Sequence, residues 1–311
     1  MGMHHTLQPG RANLHAHFSR GVRAVLTIES GDTVVLSTPD VSWGLEPPTS
    51  TTAPRRKVEP RDPARDNGPC MVGPVAVRGA EPGDALEIVF ERIVPAAWGW
   101  TYSGGGMATP AWNAALGVGG APLTLLRWML DHAAGEATND KGDVVRLRPF
   151  MGTVGLCPDE PHASGWVPRV CGGNMDCREV VEGSTLLLPV MVPGGMLSLG
   201  DGHAAQGDGE VSGTAIECAM EEVRLRVTVR KGVRIAGPRV RTPEGAWVTL
   251  GFGETLDGAA EHAVSGMLDV MEETMPGRGR AELLALASSA VSVRVTQVVN
   301  PLRGVHAVWK P

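Results

Sequence analysis

Glycine and proline interrupt this chain throughout, with 41 Gly and 24 Pro in 311 residues. Glycine inside a helix loses backbone entropy, and proline removes a donor and clashes with the preceding turn. A helical bundle is therefore excluded. A hydrophobic fraction of 42% still supports a packed core, so the punctuation reads as many short strands joined by turns.

Runs rich in β-branched residues lie between these breaks. Residues 22–28 and 33–37 flank Glu29-Ser30-Gly31-Asp32 and read as a hairpin. Further strands are expected over 85–94, 185–192, 223–230, 246–251 and 291–299. Residues 223–230 show the cleanest period of two, with one face buried and one wet. Helices are expected over 122–134, where Leu126, Met129 and Leu130 share a stripe, over 256–275 and over 281–289. Strands and helices do not alternate regularly, which argues against a TIM barrel or a Rossmann sheet. The expectation is a mainly β chain with an α/β portion (α+β), built of antiparallel sandwich or barrel elements. It reads as one unit over 1–311, divisible into a β-rich core holding the site (1–220) and an α/β C-terminal part (221–311).

Lys and Arg number 28 against 34 Asp and Glu, a formal net charge of −6. This balance argues against non-specific nucleic-acid binding. No apolar run reaches membrane-spanning length, and the first residues lack the layout of a secretory signal, so a cytoplasmic protein is expected. His4-His5 reads as a loose chain end. Cys70, Cys157, Cys171, Cys177 and Cys218 are an odd set for a disulfide framework and read as small buried hydrophobes. The basic cluster Arg55-Arg56-Lys57 in the Pro-rich segment 47–69 reads as solvated surface rather than an anion site.

Chemistry concentrates in Gly200-Asp201-Gly202-His203-Ala204-Ala205-Gln206-Gly207-Asp208-Gly209-Glu210 and on to Glu217. Glycines let the backbone bend and approach a bound group, while acids and an imidazole supply mixed oxygen and nitrogen donors. Such donors suit Zn²⁺, Mn²⁺ or Ca²⁺, although Asp and Gly together also simply make turns. An EF-hand starting at Asp208 fails at its last position, which is Ala219. In Gly172-Gly173-Asn174-Met175-Asp176, Asn174 and Asp176 share a face of an extended chain. Asp40 follows a strand end, where site carboxylates and plain turn caps both occur. His15-Ala16-His17 matches a metal-hydrolase spacing without the β/α alternation that spacing needs, and there is no G-x-S-x-G elbow.

The stretch from Gly200 to Glu217 resembles the central signature of the acetamidase/formamidase family. Asn67-Gly68-Pro69, residues 79–86, residues 172–176, Thr249 to Glu254 and Gln297-Val298-Val299-Asn300-Pro301 resemble the family in the same order. Trp43-Gly44-Leu45-Glu46 and the basic loop after it depart from the pattern, which leaves the pocket wall open. The resemblance implies a hydrolase of small linear amides, giving carboxylate and ammonia. It also implies a homodimer or larger homo-oligomer and a divalent metal, Zn²⁺ first and Ca²⁺ second. Asp40, Asn174, Asp176, Asp201, His203, Glu210 and Glu217 sit at matching positions. Within that set the metal ligands are expected among Asp201, His203, Asp40 and Asp176. Asn174 is the carbonyl-orienting donor, Glu217 the first choice of general base and Glu210 the second. Two other readings stay open: a diverged, non-catalytic metal- or ligand-binding protein, and a cysteine-dependent amidase using Cys157.

Overall fold

The computed structural model describes residues 2–311. It is mostly β, in two large sheets and a two-stranded one. The nine-stranded sheet runs His4–Leu7, Asp32–Thr38, Met220–Arg230, Ala85–Pro95, Thr185–Pro189, Arg239–Arg241, Trp247–Gly253, Arg303–Trp309 and Val291–Gln297. Its pairs are antiparallel except the first, His4–Leu7 against Asp32–Thr38. The second sheet follows Val144–Arg146, Glu136–Asn139, Thr124–Asp131, Trp98–Ser103, Glu217–Cys218, Leu197–His203, Phe150–Gly155 and Gly172–Asn174, with Met71–Val77 branching from Leu197–His203. Neither path closes on itself among the described residues, so the barrel alternative falls and the open, layered one remains.

One core joins the two sheets. Val34, Leu36, Ile88, Phe90 and Leu225 from the first pack in a single cluster with Val72, Val75, Met151, Val154 and Leu199 from the second. Residues 223–230 behave as their period predicts, with Val223, Leu225 and Val227 buried between more exposed neighbours. Met220–Arg230 pairs with both Asp32–Thr38 and Ala85–Pro95, so a division at 220/221 falls at a strand central to the sheet. Helix Leu256–Thr274 packs Ala263, Met267 and Met271 against Val305, Ala307 and Trp309. It starts at Thr255, whose hydroxyl accepts from the Gly258 N–H. The short helix Arg280–Ala290 follows as expected, and no helix is long and apolar enough to cross a membrane.

Two expectations fail for identifiable reasons. Residues 122–134 form a strand, Thr124–Asp131, not a helix. Leu126, Met129 and Leu130 fit a helical stripe, but the burial alternates: Trp128 and Leu130 are inside and Met129 is 75% exposed. Over so short a run both periods fit, and pairing with Trp98–Ser103 decides for the strand. The expected hairpin also fails. Leu26–Ile28 pairs parallel with Met71–Val77 in one sheet, while Asp32–Thr38 pairs with Met220–Arg230 in the other. The turn itself forms, with the Asp32 N–H donating to the Glu29 carbonyl, but it carries the chain across the core. His4-His5 is not a loose end either: His4–Leu7 is an edge strand, and His5 Nε2 lies 2.9 Å from Asp32 Oδ2.

The strand Leu197–His203 is central to the site, buried along its length. Gly200 lies opposite Met71, and a Cβ there would meet the Cys70 carbonyl oxygen at 1.9 Å. The Gly200→Ala substitution must therefore push two buried strands apart. We expect a loss of stability at the upper end of the ~1–3 kcal/mol range for overpacked cores, read as a lowered urea midpoint.

Candidate active site

The acids and the imidazole of the glycine-rich stretch converge with a residue from elsewhere in the chain. Asp201 and His203 come from Leu197–His203, Glu217 from the neighbouring strand Glu217–Cys218, and Asp176 from just beyond Gly172–Asn174. Glu210 lies on the loop between the first two of these strands. Ligand atoms of Asp176, His203 and Glu210 lie within 4.8 Å of one another, as do those of Asp201, His203 and Glu217. His203 belongs to both groups, and all five side chains are buried.

Backbone conformation aims these side chains. Asp176 (φ 51°), Asp201 (φ 60°) and Glu210 (φ 46°) all adopt left-handed geometry, which only two other non-glycine described residues, Trp43 and Met196, share. Such conformations cost about 1–3 kcal/mol each and persist where surroundings enforce them. Their clustering on the site acids marks a constraint other than stability.

Hydrogen bonds fix what remains. His203 Nδ1 lies 2.9 Å from Gln206 Oε1, and Gln206 Nε2 donates to the Asp176 carbonyl at 2.8 Å. An amide oxygen can only accept, so Nδ1 carries the proton in that bond and Nε2 is the nitrogen turned towards the acids. Nε2 lies 3.2 Å from Asp201 Oδ1 and 3.3 Å from Glu217 Oε2. The Thr153 hydroxyl is 2.6 Å from Asn174 Oδ1 and 3.1 Å from Asp201 Oδ2. Asn300 Nδ2 donates to Asp176 Oδ2, and the Ala215 N–H donates to Glu217 Oε1 at 3.0 Å. Asp176 Oδ1, Glu210 Oε2 and Glu217 Oε2 are left buried with no hydrogen-bond partner.

The electrostatics follow from crowding acids away from water. Burial, then the Asp201 charge, raises the Asp176 carboxyl to about 7. Burial also raises Glu217 to about 7 and Glu210 well above the usual carboxylate range, the latter helped by Asp176. Burial works against Asp201 as well, but the His203 charge and hydrogen bonds from His203 and Thr153 outweigh it and lower this carboxyl. His203 is raised well above an ordinary imidazole, because Glu217 and Asp201 overcome its burial.

Asp40 is not brought into this group. Its carboxylate pairs with Arg55 and accepts from Trp100 Nε1 at 2.8 Å and from the Gly44 N–H at 2.7 Å. Arg55 corrects the reading of its loop as solvated surface: a fully buried carboxylate needs a counter-charge, and the Arg55 side chain is only 8% exposed. Arg61 of the same loop stacks over Trp43 at 4.1 Å. Asp208 is exposed and lies towards Arg178 at 4.0 Å. His15 is taken up by Ser198 Oγ at 3.0 Å. All five cysteines are free and buried. The Cys157 thiol is pushed up to about 11, chiefly by burial.

Four contributors carried no assigned role in the sequence. Gln206 and Asn300 stood inside the recognised motifs and were visible as polar residues there. Thr153 and Gly152, on Phe150–Gly155, had no local signal, because only strand pairing opposite Gly200 and Asn174 brings them in. Gln206 and Glu210 line a cavity of about 480 Å³. A larger one, about 580 Å³, lies by Phe252 and His262 and holds none of the clustered residues.

Residues 162–300 match the Acetamidase/Formamidase family. An acetamidase of Mycolicibacterium smegmatis is 30% identical over 204 residues, covering 47% of this chain and 50% of that protein. The chain thus spans about half the length of this curated relative. Among solved structures, a predicted acetamidase/formamidase from Thermoanaerobacter tengcongensis superposes with TM-score 0.82 at 29% identity, covering 99% of this chain and 95% of that one. An acetamidase from Bacillus halodurans gives 0.83 at 28%, covering 98% and 96%.

Proposed function

We propose that this relative of the acetamidase/formamidase family hydrolyses short linear amides to a carboxylate and ammonia, at a divalent-cation site formed by the buried acids and His203. The observation that carries the reading is the pair of unpartnered buried oxygens, Asp176 Oδ1 and Glu210 Oε2, beside an imidazole already faced by Asp201 and Glu217. An unpartnered carboxylate oxygen away from water is costly unless a cation meets it. The space between the ligands points the same way. Gly152 faces them, and a Cβ there would lie 2.7 Å from His203 Cε1, 2.8 Å from Asp201 Oδ2 and 2.9 Å from Asp176 Oδ1.

Asp176, Asp201 and His203 would hold the cation. One nitrogen among several oxygens favours zinc, with calcium as the alternative. When bound, such a cation supplies Lewis acidity to an amide carbonyl. The chain's own residues do the rest. Gln206 keeps the His203 ring in one orientation. Asn174, its oxygen engaged by Thr153, has its NH₂ left to orient a substrate carbonyl. Glu217, held at Oε1 by the Ala215 N–H, takes the proton of the attacking water at Oε2 and returns it to the departing nitrogen. A second assignment for the base has support as well: Glu210 lines the cavity and also keeps an unpaired oxygen.

Ammonia release from formamide and acetamide, before and after chelation, tests the reading. We expect turnover that chelation abolishes and zinc restores. Chelation that melts a protein without turnover would favour a closed, structural site instead. The cysteine alternative makes the opposite forecast for one variant. With its thiol buried and raised, Cys157 holds little thiolate near neutrality, so Cys157→Ala is expected to leave the rate unchanged.

A further inference from the structure

The cavity beside Glu210 is far larger than formamide or acetamide needs, at about 480 Å³, within the range that holds ligands many times their size. Its wall carries Arg146, Arg148 and Arg178. These three cations are not equally engaged. Arg148 is taken by the buried carboxylate of Glu179. Arg178 Nε is buried with no hydrogen-bond partner, its nearest carboxylate being Asp208 at 4.0 Å. Arg146 is exposed at the end of Val144–Arg146 and makes no ion pair among the described residues. The Arg178 side chain is 31% exposed on the cavity wall, so its terminal N–H groups, which make no hydrogen bond in the protein, are open to a ligand acceptor. The guanidinium fork is matched in shape and charge to a carboxylate.

We propose that this cavity selects amides bearing a carboxylate at their far end, the half-amides of short dicarboxylic acids, with Arg178 as the contact for that carboxylate and Arg146 adding positive charge at the rim. The proposal rests on the amide-hydrolysis reading and names its substrate class. The amide end lies towards Glu210 and the buried acids, and the carboxylate end lies against the arginines. That polarity matters, because the acids would repel an anion presented the other way round. For succinamate the reaction breaks the C–N bond and forms a C–O bond from water. The water's proton goes to nitrogen, giving succinate and ammonia.

The test compares succinamate with its neutral isostere succinamide in the metal-loaded protein. We expect kcat/KM for succinamate to exceed that for succinamide by about tenfold or more, through KM. In Arg178→Met that ratio should fall to near one, and Arg178→Lys should recover part of it, a pattern that misfolding alone does not produce because the ratio is internal to each protein. Calorimetric binding of 4-oxopentanoate, in which a methyl ketone replaces the amide, against the neutral 2-hexanone reads the same contact without turnover. 4-Oxopentanoate should bind about tenfold more tightly in the parent and lose that advantage in Arg178→Met. Hydrolysis of acetamide with equal or lower activity on succinamate overturns the substrate class and leaves amidase function standing. No ammonia from any amide, with the 4-oxopentanoate preference intact, overturns amidase function and leaves the carboxylate contact standing. Equal binding of 4-oxopentanoate and 2-hexanone by the parent overturns the contact itself.

Discussion

Glu217→Gln is expected to lower amide turnover about 10²–10⁴-fold, the span a positioned general base supplies, while the cation stays bound. The side chain keeps its shape and its contact to the Ala215 N–H, so the site is not opened. What it loses is the anionic Oε2, facing His203 Nε2 at 3.3 Å, that accepts the proton. Burial is the main reason that the Glu217 carboxyl is raised, so a neutral amide there is spared that cost and gives up the attraction to His203 in exchange. His203→Ala should behave differently. His203 is the imidazole common to both ligand groups, so its loss should remove metal and turnover together. Ammonia release and metal content measured on the same preparations separate the two roles. If Glu217→Gln instead loses the cation, and Glu210→Gln keeps it without turnover, the base is Glu210.

The legible parts of this chain were those where information is local. Residues 223–230 and 256–275 repeat their period over enough residues that a single pattern fits, and both elements form. The short run around Leu126 to Leu130 satisfies two periods, and a partner strand chose between them. The glycine-acid stretch placed Asp201, His203, Glu210 and Glu217 within a short span of sequence, and the fold folds that span back on itself so that they meet. Asp176, from a second short motif, lies beside His203 and Glu210. Thr153 and Gly152 were not, since an ordinary strand residue becomes part of a site only through what lies across the sheet. Asp40 shows the converse. A carboxylate after a strand end looked like a ligand, and its partner proved to be Arg55, in a loop whose charges gave no sign of turning inward.

That partnership is expected to make Arg55 one of the most costly surface-loop residues to replace. Asp40 is fully buried, and Arg55 is its only counter-charge within ion-pair reach among the described residues. Arg55 also donates to the Glu46 carbonyl, closing the loop over the carboxylate, and its guanidinium lies 5.5 Å from the Trp100 ring. Arg55→Met keeps much of the packing but leaves a buried charge supported only by the Trp100 Nε1 and Gly44 donors. Breaking a buried pair on one side typically costs about 3–5 kcal/mol, more than the pair contributes when intact, because the remaining ion cannot reach water. Arg55→Lys should lose less, since it retains the charge and forfeits the planar fork. Trp100 pairs across the sheet with Glu217, so the Asp40 contact also buttresses the strand that carries the proposed base. Urea unfolding of the three proteins measures the first effect, and kcat on acetamide below the transition measures the second. Equal urea midpoints for parent and Arg55→Met would show that Asp40 does not depend on this arginine.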